Sequence, residues 1–210
     1  IEQELSESHL LAREQWNIEK TQEAISLKLV NCRYPKTPLV LVAGQQIVTR
    51  QRLEVLALGV RERIVDGADL KDTVSAVQSA GGLAVLPWGF GKWLGARAKI
   101  VADYLQSASP DRLFVGDNGG RPVFWPTPAL FLQAAQRNIG LLPGSDPLAL
   151  PGEEKRVGSY GGFVQGKCTM EQPWTDLCDV LTASDSVVTP FGKRQGIVRF
   201  IRNQVGLRLK

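Results

Sequence analysis

The sequence predicts an α/β fold, and three observations predict it. Short apolar runs alternate with helix-patterned stretches at a spacing of roughly 30 residues, the length of one βα unit. The runs at 39–43 and 83–86 are unbroken rather than alternating, as strands covered on both faces are. Gly/Pro-rich turns follow two of the runs directly, Pro87-Trp88-Gly89 and Gly144-Ser-Asp-Pro147. This alternation implies parallel strands in a barrel or doubly wound sheet, with the site at their carboxyl ends.

The elements follow in order. Residues 2–28 are charged and helix-patterned, with Leu5, Leu11, Trp16, Ala24 and Ile25 as an apolar stripe. His9, the single histidine, lies in this stretch and reads as a surface or capping residue. Tyr34-Pro-Lys-Thr-Pro38 ends the segment, because proline stops helices. A buried strand at 39–43 ends at Gly44-Gln-Gln46, and 53–58 reads as its neighbour. Asp69 is placed to cap a helix over 70–79, and Gly81-Gly82 closes it before the strand 83–86. A helix at 96–105, a strand at 112–115 and the turn 116–122 come next. Pro126-Thr-Pro128 opens a helix to Arg137, and 139–142 is the following strand.

Beyond Leu150 the character changes. Residues 151–156 read as a solvated charged loop, and 157–166 as a Gly-rich strand. Residues 174–181 suit a short helix with Thr175 near its cap. From Gly192 on, Ile197, Phe200, Ile201 and Val205 recur at helical spacing. Residues 187–210 hold Lys193, Arg194, Arg199, Arg202, Arg208 and Lys210 and no acidic side chain.

The bulk numbers limit the classes. A chain of 210 residues, 43% hydrophobic and 22% charged, suits one globular domain, with 1–38 as helix and linker and 151–210 as a Gly-rich strand region plus basic helix. No apolar run approaches the roughly 20 residues of a membrane helix. Cys32, Cys168 and Cys178 form no CxxC pair, which speaks for free thiols in a cytoplasmic setting rather than zinc or disulfides. A net charge of +4 is too mild to imply nucleic acid.

Residues 39–150 resemble the PHP (polymerase and histidinol phosphatase) family in four segments. These are Ala43-Gly-Gln-Gln-Ile-Val-Thr49, Glu54-Val-Leu-Ala-Leu-Gly59, the helix-then-strand 70–86, and Gly144-Ser-Asp-Pro147. The resemblance implies a distorted (β/α)7 barrel, a TIM-like hydrolase fold with metal-dependent phosphoesterase activity. It also implies a dismantled metal site. Gln46 stands where a bridging glutamate is expected, Trp88 where a ligand histidine is expected, and Pro147 or Leu148 replaces the final histidine. Asp146 alone is retained. The family's opening His-x-His segment does not appear, so the barrel is expected to be incomplete at its N-terminus.

Three functional expectations follow. The first is a non-catalytic ligand- or partner-binding protein without a resident metal. Its barrel mouth would gather Gln46, Trp88, Lys92, Trp93, Asp117, Asn118, Arg121, Ser145 and Asp146 around a phosphorylated or nucleotide-like small molecule. In that mouth Trp88 either lines an open pocket or plugs it. The second is a phosphoesterase with substitute oxygen ligands from Asp146, Asp117, Glu54, Glu153 and Glu154, which would take Mg or Mn. The third is an interaction module that meets an acidic partner through the basic C-terminal helix.

Overall fold

The computed structural model describes residues 15–208, so the expectations for 2–14, His9 included, lie outside the described residues. The strands are β1 (Trp16–Lys20), β2 (Ser26–Asn31), β3 (Leu39–Val42), β4 (Gly44–Val48), β5 (Glu54–Leu58), β6 (Leu83–Pro87), β7 (Leu113–Asn118), β8 (Gly140–Gly144), β9 (Tyr160–Val164) and β10 (Val188–Gly192). The helices are α1 (Leu70–Ser79), α2 (Gly95–Ser107), α3 (Ala129–Gln136), α4 (Pro173–Thr182) and α5 (Ile197–Arg208), with a 3₁₀ turn at Glu154–Arg156.

The expected parallel barrel is not what these elements build. The strands form three sheets: β1-β2-β3, β9-β10, and a central sheet in the order β4-β5-β6-β7-β8. In the central sheet β4, β5 and β6 pair antiparallel, and only β6-β7-β8 is parallel. The reason lies in the connection lengths. Only residues 49–53 join β4 to β5, closed by Thr49 N–H to Leu53 O at 2.8 Å, whereas a parallel crossover needs a dozen or more residues. With three strands between them, β4 and β8 are edges rather than the seam of a closed cylinder.

Both edges are managed. Residues 61–67 lie along β4: Val48 N–H reaches Asp66 at 2.8 Å, and the Gln45 side chain accepts from Ile64 N–H and donates to Glu62 O. Edge strand β8 carries Pro143, which has no N–H to leave unpaired.

The expected N-terminal helix is corrected within 15–28. Residues 16–20 and 26–31 form a β-hairpin in the register Trp16↔Asn31 to Lys20↔Leu27. Trp16, Ala24 and Ile25 therefore never share a helix face. The expected buried strand at 39–43 is β3 of the small sheet, and the chain leaves that sheet after Val42 to begin a further strand, β4, in the central sheet at Gly44. Leu39 and Leu41 are exposed on that small sheet's open face.

Strand alternation divides the interior in two. Val55, Ala57, Ala84, Leu86, Leu113 and Val115 face α1, α2 and α3, whose Val74, Val77, Val101, Leu105, Phe131 and Ala134 complete the larger core. On the other face Leu83, Val85 and Phe114 meet Trp174 and Cys178 of α4. Helices cover both faces, which is why β6 is buried along its whole length.

Asp69 occupies the N-cap of α1, but its carboxylate takes Arg50 and Gln51, and Gln51 Oε1 accepts Leu70 N–H instead. The other end follows expectation. Gly81 adopts φ +79°, with Gly81 N–H to Gln78 O and Gly82 N–H to Val77 O.

For α4, the capping group comes from 151 residues away. Glu23 accepts the N–H groups of Trp174 and Thr175, both at 2.8 Å, and the Thr175 hydroxyl. Thr175 is thus a donor to the cap. Desolvation pushes the Glu23 carboxyl up, but the bonds from Thr175, Trp174 and Ser26 outweigh it, and the net shift is downward. A depressed carboxyl stabilises the fold above its unfolded value of 4.5 and loses that contribution as pH falls through the folded value. Glu23→Gln is expected to melt roughly a few degrees below wild type at neutral pH. The gap should narrow progressively in thermal melts taken at falling pH below 4.5; a constant gap across pH would refute the charge's role.

No helix among the described residues is long and apolar enough to cross a membrane.

Candidate functional site at the carboxyl edge of the sheet

The parallel register aligns the ends of three strands. Pro87 stands beside Gly116, Gly116 beside Leu142, and Asn118 beside Gly144. Since β5 runs opposite to β6, its first residue, Glu54, lies at this same edge. Here a site is expected, and here most of the predicted residues are found.

Trp88 follows β6 and donates its N–H to Gly116 O at 2.8 Å, extending the ladder by one bond. Only 5% of Trp88 is exposed. Its ring stands edge-on to Trp125 at 5.9 Å. Asn118 Nδ2 donates to Trp88 O at 2.6 Å and pins the turn. The barrel mouth that Trp88 was expected to line or plug is not formed, and Trp88 packs in the larger core. Trp93 packs edge-on against Phe131 in that core as well.

The turn expected at 116–122 begins later, because Gly116, Asp117 and Asn118 are still strand. Strand geometry aims Asp117 to the α3 side, where it is 4% exposed. Arg121 grips it with two bonds, Nε at 2.6 Å and Nη2 at 2.8 Å. The Tyr160 hydroxyl donates to Asp117 Oδ2 at 2.9 Å. Arg121 also donates to Trp125 O and lies over the Phe131 ring at 5.7 Å. Burial, the bond to Asp117 and the Asp117 charge push the Tyr160 phenol up to about 12.

At the end of β8, Ser145 Oγ accepts from Gly158 N–H at 3.2 Å. Asp146 takes φ +42°, a left-handed conformation that Asp tolerates better than most residues. It is solvent-exposed. Even so, desolvation by the groups around its carboxyl and the nearby Glu54 charge hold its pKa above the ordinary value, against Lys92 and Arg156. Glu54 itself is ion-paired to Lys92. The structure thus brings Lys92 and Asp146 together with Glu54, and Asp117 together with Arg121. Gln46 stays apart: it is exposed in mid-β4, opposite Leu56 and three strand spacings, about 14 Å, from β7.

A second group forms where the sequence reads a solvated loop and the start of the basic helix. Glu153, expected in a solvated loop, is 0% exposed. Arg156 Nη1 lies 3.3 Å and Arg199 Nη1 3.6 Å from its two oxygens. Arg156 Nη2 donates to Gly119 O at 2.7 Å. Gln195 N–H donates to the same carbonyl, and its side chain bonds Gly120 O. Asn203 Nδ2 then donates to Gln195 Oε1 at 3.2 Å. This network straps the Gly119-Gly120 corner to α5, and a Cβ at Gly119 would crowd Arg156 and Ser145. In the charged run Glu153-Glu-Lys-Arg156, nothing local marks which charge is buried.

The substitute-ligand set does not assemble. Glu54 is held by Lys92, Asp117 by Arg121, and Glu153 by Arg156. Glu154 turns back to Gly152 N–H. Among the described residues no three His, Cys, Asp or Glu come together as a metal-holding group. A cation at Glu54, Asp117 or Glu153 would have to displace the resident Lys92, Arg121 or Arg156.

The chain matches no family model, no curated protein and no solved structure. The PHP resemblance therefore rests on its sequence segments alone, and those segments build an open mixed sheet rather than that family's barrel.

Proposed function

We propose that this chain is a non-catalytic binding protein whose carboxyl-edge residues are architectural and whose partner is met at the surface. One observation carries this reading. The charged side chains that would serve catalysis are committed to one another: Asp117 to Arg121 and Tyr160 and Glu153 to Arg156 in buried groups, Glu54 to Lys92 in a partly exposed pair. The cations that would greet a phosphorylated or nucleotide-like ligand, Lys92 and Arg121, are the same ones already paired. Cytoplasmic placement belongs to this proposal too, supported by three cysteines that are all unpaired.

The test is hydrolysis of p-nitrophenyl phosphate by the full chain with Mg or Mn, beside thermal melts with the same ions. No metal-dependent turnover and no melting shift are expected. Turnover that requires Mg or Mn and disappears in Asp146→Ala would overturn the proposal, because Asp146 is the one exposed carboxylate retained from the resemblance.

A further inference from the structure

The helical stripe seen in the sequence does not face the core. Of its members only Phe200 is buried, together with Asn203 three residues on along the same inward face. Ile197, Ile201 and Val205, at i, i+4 and i+8, are each more than half exposed, and Val198 beside them is 79% exposed. They form one stripe about 12 Å long on the outer side of α5. Phe200 anchors the helix inward, edge-on to Phe90 at 5.2 Å and to Phe124 at 6.2 Å. Phe90 and Phe124 are themselves exposed, so the loops that hold the Phe200 anchor carry apolar surface as well. Exposed apolar side chains gathered in one stripe mark an interaction surface.

We propose that the outer face of α5, with Phe90 and Phe124 beside it, is a docking surface for an acidic amphipathic helix of a protein partner. Charge decides the partner's chemistry. Residues 187–210 contain six cations and no carboxylate, and Arg202 and Arg208 are exposed on α5 itself. Within α5 every cation is arginine, the residue enriched at protein interfaces and shaped for bidentate carboxylate contacts. A lipid surface would be met by Lys as readily as Arg, with Trp or Tyr at the interface, and the stripe has none of these. A second copy of the chain would set arginine against arginine. The i, i+4, i+8 spacing suits a helix laid alongside, with its own apolar anchors in register.

This proposal rests on the binding reading, and its test is independent of hydrolysis. The probe is a labelled helical peptide of about 16 residues, Leu along one stripe and Glu on both flanks, read by anisotropy with the full chain. A scrambled peptide of equal composition is the control. The amphipathic peptide is expected to bind at least about tenfold more tightly than the scrambled one, and Ile201→Glu to weaken it about tenfold. Arg202→Glu and a rise from about 50 to 300 mM salt should each weaken it several-fold. Ile201 is solvent-facing, so its variant should keep the wild-type melting temperature. Equal binding of both peptides, or binding indifferent to Ile201→Glu, overturns the proposal. So does preferential binding to phosphatidylglycerol vesicles or to an oligothymidine strand, or a dimer that Ile201→Glu dissolves. Metal-dependent turnover would sink the binding reading separately, leaving these peptide results to stand or fall alone.

Discussion

Asp117→Asn is expected to destabilise the protein by about 3–5 kcal/mol, the usual cost of removing one partner from a buried ion pair. Arg121 would keep its charge at 5% exposure without its carboxylate, and Tyr160 would lose a charged acceptor. For a chain of this size the melting temperature should fall by about 10 °C. The phenol supplies a second readout. Desolvation, the bond to Asp117 and its charge raise Tyr160 to about 12, so its neutral form stabilises the fold fully below pH 10 and loses that contribution between pH 10 and about 12. In Asp117→Asn two of those causes weaken, and tyrosinate absorbance should appear at lower pH than in wild type. Were the variant to melt within a degree of wild type, Asp117 would have to be reconsidered as a working group rather than a structural one.

Gly59→Ala should cost about 3 kcal/mol, from a left-handed backbone penalty of about 1–2 kcal/mol plus overpacking of similar size. Gly59 ends β5 at φ +73°, and a Cβ there would overlap the Trp174 indole, a packed ring in the smaller core. Gly59→Asn separates the two causes, since Asn tolerates the backbone but not the overlap. The costs of Gly59→Ala and Trp174→Phe should be non-additive, because the smaller ring relieves the clash. Strict additivity in urea melts would show that the overlap is absorbed elsewhere.

Much of the local structure was legible. The apolar run before Pro87 and the diglycine after Ser79 located β6 and the end of α1, because burial on both faces and a left-handed cap each leave a compositional mark. The antiparallel pairing of β4 with β5 was missed, because 44–46 read as the end of the preceding strand and the alternation pointed to parallel pairing. Trp16 to Asn31 misled for a different reason: a charged stretch with scattered apolar residues fits a helix stripe as well as a hairpin whose faces are half-buried.

The site divides along the same line. Residue types and turn chemistry located Trp88, Asp117, Ser145 and Asp146 at strand ends. They could not show that Arg121 was already spent on Asp117, or that Tyr160 closes the group from 43 residues away. Glu153 is the clearest case, a fully buried carboxylate inside a run of four charges whose burial depends on Arg156 and on Arg199 of α5.

By itself the sequence determined most local elements from residue 70 onward: which of those stretches are helix, where most central strands lie, and that residues 187–210 are basic. Those follow from periodicity, proline and glycine, which act over a turn or a strand length. Only the tertiary structure decided that five strands stay open, that Trp88 fills the edge, and that the stripe on α5 faces out. Each of those outcomes depends on pairings between distant segments, and a side chain's neighbours across the fold leave no imprint on its neighbours in the chain.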